Sequence, residues 1–390
     1  MKLNYDILGK HIRLIDTRNR ENITDRVLGI NIDKFFMPSV ANVIGTDLSK
    51  YKLITKGKFA CNPMHVGRDE RLPVALYDEE EPAIVSPAYF MFEVIDNSIL
   101  NEDYLMMWFR RPEFDRICWL HTDGSVRGGI TWDDICRLEL PIPPIENQLE
   151  IVNSYKAITE RITLKQKIND NLTELCSVDY IKMLSGFTTD SDELPEGWSI
   201  STIGDYCDVK SGYAFKSDWW TNEGCKVIKI ANIVNNSIDL DSCDCVSPEH
   251  TEKATNFFVR SGDVLIAMTG ATTGKIGIVP LSDESIVVNQ RVGKFFLGSN
   301  PIEKAPFLYS TLLYSRVSRH LQPDGTAGSA QDNLSADNIK DVAIVLPTLS
   351  DIDGFNHNHI PHIKTIMSNC AEIRKLNKLS ETILQTLSSR

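Results

Sequence analysis

The feature that most restricts what this chain can fold into is an internal repeat with a period near two hundred residues. Gly124 and Ser125 are followed by Gly128, Gly129, Ile130, Thr131, Trp132, Asp133, Asp134 and Ile135, and an apolar strand ends at Leu140-Pro141. About two hundred residues on, Gly328 and Ser329 are followed by Asp332, Asn333, Leu334, Ser335, Ala336, Asp337, Asn338 and Ile339, with a strand ending at Leu346-Pro347. The order of elements before each copy also matches. A glycine stands near the start (Gly9, Gly204), a β-rich body follows, and an apolar helix is expected over 104–119 and again over 306–321. A chain of 390 residues is long enough for two such modules to bury separate cores.

A helical segment follows each module. Residues 146–184 contain no proline or glycine, and Leu149, Val152, Tyr155, Ile158, Ile162, Ile168, Leu172 and Leu175 fall mostly three or four apart. That spacing predicts a long helix with a coiled-coil-like seam, leaving Glu160, Arg161, Lys165 and Lys167 off it. Ile363, Ile366, Cys370, Ile373, Leu376, Ile383 and Leu387 repeat the pattern, so each stripe is expected to cover the other. The polar stretch 185–193 reads as a linker, and Pro141, Pro143 and Pro144 mark the first module's exit.

Composition narrows the class further. No run of eighteen apolar residues occurs, and Lys2, Asp6, Lys10 and Arg13 interrupt the first sixteen positions, so neither a signal peptide nor a membrane anchor is expected. Nine cysteines without framework spacing suit a reducing cytoplasm, the expected location. The net charge of −12 argues against a chain that grips nucleic acid unaided. It is neutral for a subunit whose partners supply phosphate-binding surface.

No motif supplies an active site. Gly270 and Gly274-Lys275 fail as a phosphate loop, because three residues separate the glycines and Ile276 replaces the hydroxyl that would hold magnesium; a tight turn between strands is expected instead. Asn62-Pro63-Met64-His65 lacks the aromatic that stacks on an extruded adenine. Cys243 and Cys245, with Cys207 and Cys225 upstream, miss zinc spacing. His357, His359 and His362 read as a solvated turn just before the last helix, with no acid or cysteine spacing to complete a site. Paired acids such as Asp133 and Asp134 look like helix caps. Neither a catalytic residue nor a metal ligand is expected.

The order module, Leu-Pro exit, long helix, module, long helix resembles the specificity subunits of type I restriction–modification enzymes over essentially the whole chain. Leu194-Pro195-Glu196-Gly197-Trp198 is similar to the opening of their target recognition domains, and Lys210-Ser211-Gly212 to the loop that follows. Gly262-Asp263-Val264-Leu265-Ile266 running into Thr269-Gly270-Ala271 resembles the central strand-turn-strand, with Val288-Asn289-Gln290-Arg291-Val292 after it. In the first module Pro38-Ser39-Val40-Ala41-Asn42, Gly45-Thr46-Asp47, Asn62-Pro63-Met64 and Val85-Ser86-Pro87-Ala88-Tyr89 are similar to one subclass. Pro141-Ile142-Pro143-Pro144 leading to Glu146-Asn147-Gln148 resembles the family's junction with its helix; the second junction, TLSDIDGFNHNHIPH from Thr348, lacks the proline pair and the glutamine.

The resemblance implies an α+β chain: two tandem target recognition domains, each a mixed sheet with short helices, separated by an antiparallel pair of long coiled-coil helices with pseudo-two-fold symmetry. The expected divisions are 1–145 and 195–347 for the domains, 146–185 and 348–390 for the spacer helices, and 186–194 for the linker. It implies double-stranded DNA as ligand, each module reading half of a bipartite target. Two methyltransferase (modification) subunits would carry S-adenosylmethionine, and motor–nuclease (restriction) subunits ATP and Mg. This chain would bind no cofactor. The alternative is a stand-alone DNA-modifying enzyme or a fused nuclease–methylase relative. A helix of about 37 residues spans roughly 55 Å, more than one turn of DNA.

Base edges are read by amides and guanidinium groups, and phosphates by lysines, hydroxyls and backbone N–H groups. Module one offers Lys50, Lys52, Lys56, Lys58, Asn62, His65, Arg68, Arg71 and Arg127. Module two offers Lys210, Tyr213, Lys216, Lys229, Asn232, Lys275, Gln290, Arg291 and Gln331. Arg68, Arg127, Lys275, Arg291 and Gln331 stand out, because glycine or polar neighbours place them in loops between strands.

Overall fold

Short continuous apolar runs such as those in Lys58–Cys61 and Val264–Ala267 form buried strands, and each lies inside a sheet of its own unit. The structure, a computed structural model, describes residues 5–40, 44–64, 66–122, 128–185, 187–191, 193–322 and 333–387. It divides into two compact units, residues 1–160 with 378–390 and residues 161–377. The α+β class expected from the sequence is what forms.

In the first unit, an antiparallel sheet runs Ile12–Leu14, Phe90–Val94, Lys58–Cys61, Val74–Tyr77. A second sheet runs Phe36–Pro38, Val27–Ile30, Ala83–Val85, Lys52–Ile54 and contains one parallel pair. Phe59 stacks on Phe92 with centroids 5.0 Å apart, and Phe109 meets both rings edge-on. Val152 and Tyr155 of the long helix Ile145–Met183, and Leu387, are buried in the same core.

The second unit repeats the plan. Asp208–Ser211, Val292–Phe296, Val264–Ala267 and Ile276–Ile278 pair in the same antiparallel order, extended by Ser237–Ile238 and Ile233–Val234. A second sheet again holds one parallel pair, Cys225–Ile228 with Ile286–Val288. The repeat reaches single hydrogen bonds: Ile130 N–H donates to Pro63 O at 3.2 Å, and Leu334 N–H to Met268 O at 2.9 Å. Thr131 with Asp134, and Ser335 with Asn338, form capping boxes at matching places. Gly9 and Gly204 lie where a Cβ would press on Cys136 and Lys340, the residues at those helix ends. Each module is closed by a two-stranded ladder, Tyr5–Ile7 with Glu139–Pro141 and Ser199–Thr202 with Ala343–Leu346.

Four expectations change. The apolar helix over 104–119 is two helices, Glu102–Phe109 and Pro112–Leu120, because Pro112 can start a helix but cannot continue one. The segment over 306–321 likewise breaks at Tyr314, whose backbone is extended, into Ala305–Leu313 and Ser315–Leu321. The last helix spans Leu349–Thr386, so His357, His359 and His362 lie inside it rather than before it. Thr348 caps it, accepting from Asp351 N–H at 3.2 Å. Finally, Ile168 and Leu175 are exposed. The face of the first long helix turned inward carries Asn169, Leu172, Cys176 and Tyr180.

Within the second unit the two long helices run antiparallel. Arg161 pairs with Glu372 at 2.5 Å, Asn169 with Asn369 at 2.9 Å, and Cys176 with His359 at 3.4 Å. At the second junction, where the expected glutamine is missing, Asn356 takes its place. Gln148 is fully buried; its Oε1 accepts from Asn101 N–H at 2.9 Å, and its Nε2 donates to Ile99 O and Pro143 O at 2.8 Å. Asn356, buried one turn deeper into its helix, accepts from Phe307 N–H at 2.8 Å. Both amides satisfy a donor at the start of a buried helix that nothing in that helix can reach.

Candidate nucleic-acid interface

In the second module, strand Val264–Ala267 lies between Ile276–Ile278 and Val292–Phe296, and this pairing decides which candidates meet. Ala267 N–H donates to Lys275 O at 2.8 Å, and Met268 N–H donates to Arg291 O at 3.0 Å. Lys275 and Arg291 therefore flank the same strand end, one from each neighbouring strand. Both side chains are exposed, and neither has an ion-pair partner among the described residues. Gln290 and Tyr213 join them: Gln290 N–H donates to Tyr213 O, and Tyr213 N–H to Val288 O, each at 2.9 Å.

The backbone there leaves no room for side chains. A Cβ on Gly212 would sit 2.3 Å from Val288 O. Gly274, at φ +82, would meet Leu321 O at 2.4 Å, so the Gly270–Gly274 segment is the tight turn expected rather than a phosphate loop. Three further candidates lie over aromatic rings: Lys210 Nζ is 5.2 Å from the centroid of Phe296, Lys216 Nζ 5.3 Å from that of Trp219, and Lys229 Nζ 3.8 Å from that of Trp220. Lys229 also pairs with Asp244, and Lys210 with Asp208 at 3.1 Å.

Two candidates are spent inside the fold. Asn232 is buried, with Oδ1 accepting from Lys229 N–H at 2.7 Å and Nδ2 donating to Ser242 Oγ at 2.9 Å. Lys52 is buried, donating to Tyr89 O at 2.6 Å, and burial lowers its pKa. Their polar atoms hold loops and strands together, which single-residue reasoning had no means of seeing.

In the first module the cations are engaged by acids. Lys56 pairs with Glu80, Lys58 with Glu93, Lys50 with Asp47 at 3.5 Å, Arg68 with Asp69 at 2.6 Å and Arg71 with Asp33 at 2.9 Å. Four of these pairs lie at the surface and are weak, so a phosphate can displace the acid at small cost, whereas Glu93, the partner of Lys58, is buried. Asn62 Oδ1 accepts from Met64 N–H at 3.1 Å, and Gly67 N–H donates to Gly128 O at 2.9 Å, bringing Asn62 and Arg68 beside the Gly128 segment. His65, Arg127 and Gln331 lie outside the described residues.

Residues 195–381 match the family described as the type I restriction modification DNA specificity domain. The MjaVIII specificity subunit of Methanocaldococcus jannaschii is 25% identical over 225 residues, 55% of this chain and 52% of that protein. The EcoAI specificity subunit of Escherichia coli is 29% identical over 116 residues, 29% of this chain and 20% of that protein. The HindI specificity subunit of Haemophilus influenzae is 18% identical, with 97% of both chains covered. The chain thus spans about half the length of the first of these relatives and a fifth of the second. The crystal structure of the type I restriction–modification S subunit from M. genitalium shares the fold, with a TM-score of 0.59 at 14% identity, covering 100% of this chain and 97% of that one. Residues 195–381 thus match the type I restriction modification DNA specificity domain, the first module repeats the plan of that domain, and the fold is similar to that of a type I restriction–modification S subunit.

Proposed function

We propose that this chain is the DNA-reading subunit of a type I restriction–modification complex, each module contacting one half of a bipartite target in double-stranded DNA. The observation that carries this reading is the group formed by exposed Gln290, Arg291 and Lys275 with half-buried Tyr213, gathered at one sheet end inside the matched specificity domain. An amide, a phenol, a guanidinium and an ammonium supply what base edges and phosphates require. In the first module Asn62 and Arg68, beside the Gly128 segment, take the corresponding place.

The long helices set the distance between half-sites and dock two methyltransferase subunits. Leu164, Ile168, Leu175, Val178 and Ile181 support this, forming an exposed apolar stripe on the first long helix that a solvated helix has no reason to keep. The partner subunits hold S-adenosylmethionine, ATP and Mg, and this chain carries out no chemistry. No helix of the described residues is long and apolar enough to cross a membrane.

The test is methylation mapping in cells that express the chain with its methyltransferase subunits. The expected result is a split target, and exchange of residues 195–347 for another module changes one half only. Change in both halves, or methylation by the isolated chain in a single turnover, overturns the reading.

A further inference from the structure

Three potential metal ligands meet where the two long helices cross within the second unit. Cys176 comes from the first helix, and His359 and His362 come from the second. Cys176 Sγ lies 3.4 Å from His359 Nδ1, His359 Nδ1 lies 3.0 Å from His362 Nδ1, and all three ligand atoms fall within 4.8 Å of one another. Tetrahedral zinc, with Zn–S of about 2.3 Å and Zn–N of about 2.0–2.1 Å, sets ligand–ligand edges of roughly 3.3–3.6 Å. Two of the observed separations, 3.4 and 3.0 Å, lie near these values, and the third is no more than 4.8 Å.

Hydrogen bonding among the three groups is a poor account of the arrangement. His359 Nδ1 offers either one lone pair or one proton, yet it is approached by both the thiol and the second imidazole. Only one of those contacts can be a good hydrogen bond, and Cys176 and His359 are buried away from water that could serve the other. A single divalent cation would accept a lone pair from all three. The surroundings also fit. The other ring nitrogen of His359, Nε2, faces Asp179 Oδ2 at 3.7 Å, the carboxylate placement that orients metal-bound imidazoles. Phe355 packs on the His359 ring with centroids 4.3 Å apart, fixing its orientation from the other side.

We propose that Cys176, His359 and His362 form a three-ligand site for a borderline-soft divalent cation of the zinc class, clamping the two long helices to each other. One thiolate and two imidazoles select zinc or cobalt over magnesium and calcium, which take oxygen ligands. The fourth tetrahedral position is left for water. Because two ligands are three residues apart on one helix and the third comes from the other, the ion would hold the register of the pair as well as its separation.

The experiment uses the full chain, freed of any polyhistidine tag and titrated with Co²⁺ and then Zn²⁺. One Co²⁺ per chain should bind, giving the intense ligand-field bands of a four-coordinate ion and a thiolate-to-cobalt charge-transfer band, both erased by Zn²⁺. Cys176→Ser should abolish the charge-transfer band, His362→Gln should abolish binding, and Asp179→Asn should weaken it about 10–100-fold. X-ray absorption of the zinc-loaded wild type should show one sulfur and two imidazole nitrogens. This measurement needs no variant to fold. Wild-type uptake no greater than that of a folded Cys176→Ser/His362→Gln double variant, or a zinc shell with no sulfur or with two, overturns the proposal.

Discussion

Asn369 donates from Nδ2 to Asn169 Oδ1 at 2.9 Å across the helix pair, while its own Oδ1 accepts from Lys165 Nζ at 2.9 Å. Two amides facing each other across packed helices favour one register, since a slip of one turn parts them. Asn369→Ala should cost about 1–2 kcal/mol by leaving the Asn169 carbonyl short of a donor, and the double Leu variant should recover that stability while loosening register. Urea denaturation of the full chain checks the first, and disulfide trapping across the seam checks the second.

The same contact refines how half-site spacing can be altered. One turn inserted just after Lys165 in the first helix alone would put Asn169–Asn369 and Lys165–Glu372, its 2.8 Å partner, out of step, so that at most one of the two contacts survives. A matched insertion in both helices should widen the spacer in the methylated target. An insertion in one helix should lower stability and give little methylation. Methylation mapping of the two variants side by side decides the point.

Asn356 and Gln148 do one job in two units, each satisfying an N–H at the start of a buried helix. Ala at either position leaves that donor without water or partner, and each should cost about 1–3 kcal/mol. The Gln148 change should be the larger, because Ile99 O and Pro143 O lose a donor as well. Denaturation midpoints of the two variants measure the difference.

Glu284 is held at about 2 by hydrogen bonds from Arg374 first and Lys226 second. A folded-state pKa below the unfolded one stabilises above the ordinary carboxylate range, and that contribution is lost as pH falls from there towards about 2. Glu284→Gln should therefore lower stability at neutral pH and flatten the acid limb of the stability curve. Since Arg374 also pairs with Asp241 at 2.6 Å, Arg374→Ala should be the more damaging change. Urea midpoints taken at about pH 6 and about pH 3 test both.

Lys275→Ala and Arg291→Ala should weaken DNA binding by the assembled complex. A lost phosphate contact should reduce the slope of log affinity against log salt by about 1, equally for all sequences. A lost base contact should cost about 1–3 kcal/mol and relax one position of the target. Lys52→Ala, by contrast, should lower the stability of the first module and leave the salt slope unchanged. Binding titrations at several salt concentrations separate the three outcomes.

Patterns local in sequence were the legible ones. Apolar spacing bounded the first long helix to within a residue or so, and the repeat foretold two modules because Thr131 with Asp134 and Ser335 with Asn338 advertise their own capping boxes. The illegible parts depend on partners remote in the chain. Lys58 and Lys56 looked free because Glu93 and Glu80 are brought to them by strand pairing, and Lys52 looked exposed until a strand and a loop covered it. His359 and His362 looked solvated because the cysteine that meets them lies in the other long helix, while His357 is indeed exposed. Pro361 and Gly354 hid the start of the last helix, although a Thr-x-x-Asp cap at Thr348 was there to be read.

Leu387 is buried in the core of the first unit, with Val152 and Tyr155. During synthesis, then, the unit made first cannot complete its interior until residues beyond 377 have left the ribosome, by which time the whole second unit has emerged. A nascent chain halted in the second module would present its first module with an open apolar slot, a natural place for a chaperone to hold. Loss of residues 378–387 would likewise injure the module at the opposite end of the sequence from the cut.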